Sequence, residues 1–156
     1  IGYNADVGFN NLTNATAIGA NAVVVTSNTI RLGAAGIESV KSDAPYDSSS
    51  DRRLKENIVK TSYGLEEVLK LNPVNYRFIS NGLNQIGFIA QEVQPLLPEV
   101  VTGTEGDIEK GETLGITYSS LIPVLTKAIQ EQQLQLEAQQ KQIQSLIKRL
   151  EAIENK

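Results

Sequence analysis

From Leu125 to Ile153 the apolar side chains return at alternating steps of four and three residues. Few folds accommodate that period. Leu125, Ile129, Gln132, Leu136, Gln139, Ile143, Leu146, Leu150 and Ile153 fall on one narrow stripe of an α-helix, the seam of a coiled coil. The a positions are Ile129, Leu136, Ile143 and Leu150, and the d positions are Leu125, Gln132, Gln139, Leu146 and Ile153. Ile and Leu mixed at a leave the number of strands open. The glutamine layers lower stability but help set register, because a slipped seam would bury amides against apolar side chains. A lone amphipathic helix folded onto its own domain is the other arrangement. The stripe is narrow for that, and the faces beside it are mostly Gln, Lys and Glu.

The rest of the composition points the same way. The 156 residues leave room for one modest domain plus extensions. Five Tyr, three Phe and no Trp make a small apolar core, which oligomerisation would supplement. The net charge of −4 argues against nucleic acid as the main partner. No apolar run is long enough to span a bilayer. With no His and no Cys, Ser-His-Asp and Cys-His catalysis, His/Cys metal sites and disulfides are excluded, and no cofactor or metal is expected. The chain starts mid-pattern at Ile1 and reads as part of something longer.

Residues 1–40 are rich in Ala, Asn, Gly, Val and Thr and nearly uncharged. Ile1-Gly2-Tyr3-Asn4-Ala5-Asp6-Val7 recurs as Ile18-Gly19-Ala20-Asn21-Ala22-Val23-Val24. Repeats of small and β-branched residues suggest stacked strands, each rung buried by its neighbours. Two copies are fewer than a stable solenoid needs, so the segment reads as the end of a longer array. Residues 41–49, with Ser, Asp and Pro clustered, read as a linker, the kind of exposed stretch where a scissile bond should lie.

Beyond the linker, residues 62–71 suit a short helix stopped by Asn72-Pro73. Val74 to Phe78 alternates as a strand, and Asn81-Gly82 marks a turn. Ile86 to Ile89 would complete a hairpin, and Ala90 to Leu97 reads as a helix closed by Pro98. Val100-Val101 and Leu114 to Thr117 read as strands around the polar loop Thr102 to Glu112.

Ser50 and Lys55 stand five residues apart in Ser50-Asp51-Arg52-Arg53-Leu54-Lys55-Glu56-Asn57-Ile58. A solvated, charge-rich linker is one reading. A Ser-Lys pair is the other, with Lys55 as base once burial or neighbouring charge, such as that of Arg52 and Arg53, destabilises its ammonium. A helix gives positions i and i+5 a poor shared face and a strand puts them on opposite faces, so a dyad requires a turn or a partner chain.

Four ordered blocks resemble the peptidase S74 family, the intramolecular chaperone domain at the C-terminus of phage tail spikes and fibres, including endosialidases, with a relative in the myelin regulatory factors. They are Ser50 to Ile58, matching S-D-x-R-L-K-x-N-I; Leu65 to Phe78, preceded by Gly64; Ile86 to Val101 (IGFIAQEVQPLLPEVV); and Tyr118 to Gln132 (YSSLIPVLTKAIQEQ). The Ile-Gly-x-Asn-Ala unit is similar to head repeats of trimeric autotransporter adhesins.

The resemblance implies an α+β fold: a β-rich, solenoid-like fibre end (1–40), a linker with the cleavage region (41–49), an α/β chaperone core (50–120) and a trimeric coiled-coil helix (121–156). It implies a homotrimer whose client is the upstream fibre of the same chain. It also implies a single-turnover autocatalytic serine endopeptidase with Ser50 and Lys55 catalytic. Asp51 and Arg53 would be positioning residues or a surface ion pair, while Gln91 and Glu92 would be structural. The scissile bond would lie at Ser50, as Ser49-Ser50 or Ser50-Asp51. Because Ser48, Ser49 and Ser50 are consecutive, the assignment rests on register with Lys55. The setting would be a virion tail fibre or tailspike precursor assembled in the host cytoplasm, or a bacterial surface fibre. A non-cleaving structural trimerisation domain of an adhesin or fibre is the alternative. The upstream repeat argues against a membrane-tethered regulator, and nothing suggests a pocket for a protease acting on other proteins.

Overall fold

The computed structural model describes residues 1–108 and 111–155 and is mixed α/β. The chain forms two compact units: Ile1–Glu56 with Pro73–Gly87 and Thr104–Thr113, and Asn57–Asn72 with Phe88–Gly103 and Leu114–Lys156.

In the first unit, β1 (Asp6–Val7) pairs in parallel with β3 (Val23–Val24), and β2 (Ala15–Ile18) with β4 (Thr29–Leu32). Asp6 faces Val23, a step of 17 that matches the sequence echo, whereas Ala15 faces Thr29, a step of 14. The difference accrues around a turn in which the Leu12 amide donates to the Phe9 carbonyl. The corners use left-handed backbone. Asn4, Asn21, Asn14 and Asn28 have φ of 52°, 56°, 51° and 56°, a region that Asn tolerates better than most side chains. The Asn14 amide also donates to Asn28 Oδ1 at 3.3 Å. Gly2 must lack a side chain, because a Cβ there would stand 2.7 Å from the Gly19 carbonyl carbon. Ala17, Ala22 and Val24 form the small buried interior.

Also in this unit, β5 (Val74–Arg77) and β6 (Asn84–Gly87) form an antiparallel hairpin with Val74 opposite Gly87 and Arg77 opposite Asn84. The second strand thus lies two residues earlier than the pattern from Ile86 to Ile89 predicts. The turn is the cause: the Phe78 amide donates to the Leu83 carbonyl, which closes the hairpin tightly at Asn81-Gly82. Two loops reach the N-terminal segment. Asn81 Nδ2 donates to the Ile37 carbonyl at 3.4 Å, and a Cβ at Gly111 would sit 3.1 Å from Val25 Cγ2.

The second unit holds α1 (Leu65–Lys70), α2 (Ala90–Val93), the antiparallel pair β7 (Val101–Gly103) and β8 (Leu114–Ile116), and α3 (Leu121–Glu154). Val93, Leu97, Val100, Leu121 and Val124 are buried together. Burying Leu97 completely contributes about 1.5–3 kcal/mol. The helix predicted for Ala90 to Leu97 stays α-helical only to Val93. Pro98 disfavours helical backbone at Leu97, which leaves it at φ −141°, ψ 69° before a 3-10 turn at Pro98–Val100. Phe88 instead packs on Tyr118, ring centroids 6.3 Å apart, and its amide donates to the Tyr118 hydroxyl at 3.1 Å.

The 34-residue α3 has two apolar faces near its start. Leu121, Val124 and Ala128 point into the core. The stripe of Leu125, Ile129, Leu136, Ile143, Leu146, Leu150 and Ile153 is exposed, Ile129 by 65% and Ile143 by 56%. Where the first face ends, Glu131 reaches back to α1: its Oε2 accepts from the Leu65 amide at 2.8 Å and its Oε1 from Lys127 Nζ at 2.6 Å. Gly64 leaves the space this carboxylate fills. No helix among the described residues is long and apolar enough to cross a membrane.

Candidate functional site

Ser50 and Lys55 are brought together by one 3-10 turn, Arg52–Leu54. Asp51 starts it: its backbone is extended at φ −62°, ψ 134°, and its carboxylate accepts from the Arg53 amide at 2.8 Å. Such a short polar side chain suits a turn start because it satisfies an amide that has no backbone partner. The Leu54 amide donates to the Asp51 carbonyl and the Lys55 amide to the Arg52 carbonyl, both at 3.1 Å. The chain then leaves extended at Lys55, φ −129°, ψ 141°. Lys55 Nζ donates to Ser50 Oγ at 2.7 Å. The turn that the spacing demanded is present within a single chain.

Asp51 and Arg53 bond to each other. Arg53 Nη2 donates to Asp51 Oδ2 at 2.7 Å and Nε to Oδ1 at 3.0 Å, a forked pair. The Arg53 side chain, followed by its backbone amide, holds the Asp51 carboxyl below its usual range, and the Asp51 carboxylate raises the Arg53 guanidinium. Both are exposed, so the pair shapes the turn more than it stabilises the fold. Ser48, Ser49, Ser50 and Lys55 are exposed as well. Glu92 accepts from Asn72 Nδ2 at 3.1 Å, a tie within the second unit.

The sequence reading passed over Asn57, whose φ is 51°. The available signal was the residue type, since asparagine is a frequent non-glycine occupant of that conformation. Glu131 was passed over too; a bond spanning 66 residues leaves no local pattern. Among the described residues, no group of three or more acidic side chains is placed to hold a metal ion.

The turn opens the stretch that similarity to known proteins singles out. Residues 50–102 match the model of the Peptidase_S74 family, described as chaperone of endosialidase. The Peptidase_S74 segment thus begins at Ser50 and takes in the 3-10 turn, α1, the hairpin, α2 and β7 up to Thr102. The chain is also 38% identical over 90 residues to the long tail fiber protein Gp37 of Escherichia phage AR1. That similarity covers 53% of this chain and 8% of the relative's length.

Proposed function

We propose that residues 50–156 are an intramolecular chaperone of a phage tail fibre, which aligns three copies of the upstream segment and then separates from it by cleavage at Ser50. The carrying observation is the 2.7 Å contact between Ser50 Oγ and Lys55 Nζ, across a capped turn at the first residue of the Peptidase_S74 segment. The tail-fibre relative supports the setting, a virion fibre component, over a bacterial surface fibre.

The exposed stripe of α3 supports a homotrimeric coiled coil, because the helix satisfies its own unit through a different face. Three seams joined first would hold the rung segments at high effective concentration and spare them most of the entropy of finding register. The upstream segment, 1–40, is the client, 41–49 the linker, 50–120 the chaperone core and 121–156 the trimerising helix. The hairpin turn at Asn81 and the loop at Gly111 supply contacts from the Peptidase_S74 segment and its flank to the client.

For the chemistry, Lys55 as free amine takes the Ser50 hydroxyl proton. Ser50 Oγ attacks the Ser49 carbonyl carbon, forming a C–O bond. The Ser49–Ser50 C–N bond breaks as the proton passes to the Ser50 nitrogen. Water then hydrolyses the ester, leaving a carboxylate on Ser49 and restoring the Ser50 hydroxyl. Cleavage at Ser50-Asp51 is the other assignment, and fragment masses distinguish the two. Lysine is a base only when its ammonium is destabilised by burial or positive charge. Arg53 is already paired with Asp51, which leaves Arg52 and burial by neighbouring copies as sources, and burial would make cleavage wait for assembly. Asp51 and Arg53 serve as positioning residues by fixing the turn.

The exposure of Ser50 and Lys55 favours one second reading, a trimerisation domain that does not cut. Intact mass of fresh wild type, Ser50→Ala and Lys55→Ala, alongside sedimentation, separates the two readings. Splitting at Ser50 in wild type alone supports cleavage. A full-length trimer in all three supports the structural cap, and a monomer in all three removes both.

A further inference from the structure

We propose that a cut at Ser50 does not by itself part the two fragments: the hairpin turn at 78–82 stays seated on residues 33–37 of the upstream segment, and Asn81 sets how long it stays. The inference rests on the cleavage reading above for the place of the natural cut.

That cut falls inside one compact unit. The unit takes in all of residues 1–49, upstream of Ser50, and Pro73–Gly87 and Thr104–Thr113 from downstream of it. Residues 41–49 are exposed throughout. Breaking the bond at their end removes a tether and leaves the non-covalent contacts between the two sides in place.

Asn81 divides its half-buried side chain between those sides. Its Oδ1 accepts from the Leu83 amide at 3.0 Å, within the turn, and its Nδ2 donates to the Ile37 carbonyl at 3.4 Å. The turn is held from within. The Phe78 amide donates to the Leu83 carbonyl at 3.0 Å, the Gly82 amide to the Phe78 carbonyl at 2.8 Å, and Arg77 Nε to the Gly82 carbonyl at 3.1 Å. Nδ2 is therefore presented at little cost in entropy. Residues 33–37 receive it with bare backbone. Gly36, at φ 91°, comes close enough that a Cβ there would stand 3.4 Å from the Ser80 carbonyl oxygen. Ile37 folds back over Gly33, where a Cβ would stand 2.5 Å from Ile37 Cδ1, which fixes the carbonyl that Asn81 reaches. Gly111 adds a second contact across the cut, against Val25.

Each seat is small. One neutral hydrogen bond and a few backbone contacts hold a single copy only briefly. In the proposed trimer three seats would have to open together, so their lifetimes multiply. Release is then a step of its own, later than the cut.

The test uses the full chain carrying Ser50→Ala, with a recognition site for a sequence-specific protease inserted after Asp47. The linker is then cut from outside, whether or not the natural cut occurs. After digestion the fragments are followed by native mass and size-exclusion chromatography, and they are expected to travel together. Adding Asn81→Asp keeps an acceptor for the Leu83 amide and a residue pair suited to a hairpin turn, but puts an oxygen where the donor to Ile37 stood. The downstream fragment should then leave about fivefold faster for each seat, the net contribution of one hydrogen bond. Gly36→Ala attacks the same seat from the upstream side, since φ 91° penalises a side chain, and should also hasten release. Fragments that separate as soon as the linker is cut overturn the proposal. So does release at one rate with and without Asn81→Asp. If that variant opens the hairpin, seen as lost hydrogen-exchange protection at the Phe78 amide, Gly36→Ala decides in the same way. Wild type that stays whole, while digested fragments stay joined, sinks the cleavage reading and leaves the seat standing.

Discussion

In the rung segment Ala17, Ala22 and Val24 are the buried side chains, whereas the second unit buries Val93, Leu97, Val100, Leu121 and Val124. The rungs are joined by parallel ladders of two and four residues, and Val7, Ile18, Ile30 and Leu32 stay exposed along them. Methyl-sized burial cannot offset the entropy of ordering that much backbone. The second unit has branched aliphatics closed over by α3 and a carboxylate tying α1 to α3. One region holds the means to fold from its own side chains, and the other has strand edges that need company. That asymmetry fits the proposed roles of template and client, in which the template would order first.

The most damaging test is Ile143→Asp. It leaves both buried clusters untouched and, on the proposed assembly, should reduce the sedimenting mass from trimer to monomer, since a charge at a seam position would be desolvated in every copy. A trimer that survives would place association in the rungs and reverse the comparison. Leu97→Ala should come next, lowering stability by about 2–5 kcal/mol in denaturant unfolding, because Leu97 is fully buried at 0% exposure. Val24→Ala in the rungs should cost less, about 1–2 kcal/mol by loss of two methyls, in the same experiment. Equal losses would mean that the rungs hold a core of their own.

Glu131 sharpens the comparison at acid pH. The Leu65 amide, then Lys127, holds its carboxyl below the usual value. A lowered value contributes stability above the unfolded-state pKa, about 4.3, and loses it as pH falls through the folded one. Wild type should therefore lose stability more steeply than Glu131→Gln as pH falls below the unfolded-state value. Hydrogen exchange should show the loss at α1 and α3 before the rungs. Asp51→Asn should have the smallest effect on folding, leaving the denaturant midpoint close to that of wild type, since the pair it breaks is exposed. On the proposed cleavage reading it should also slow the cut, by loosening the turn.

Much of this was legible where the cause is local. Asn72-Pro73 stops α1 at Lys70, Asn81-Gly82 turns the hairpin, and the apolar stripe runs through α3 to Glu154. The echo of Ile1 at Ile18 was visible, but the shorter step that joins Asn14 to Asn28 was not. The turn at Phe9 to Leu12 lengthens the first rung and hides the common period. At Ser50 the sequence showed that a turn was needed but not what would make it, because capping by Asp51 is a matter of backbone angles. The grip of Glu131 on Leu65 crosses most of the second unit's sequence and rests on tertiary packing alone.

The stretch of α3 beyond Glu131 runs to Glu154 without touching the core cluster, and every amide in it bonds along its own axis. Such a surface has no open edge with which a strange strand could zip. In the proposed assembly the copies would meet first through side chains spaced at heptad intervals, which reject a wrong offset by mismatched shape. The adhesive backbone edges of the rungs would come into play only afterwards. Mispairing would be filtered at the step where it is easily undone.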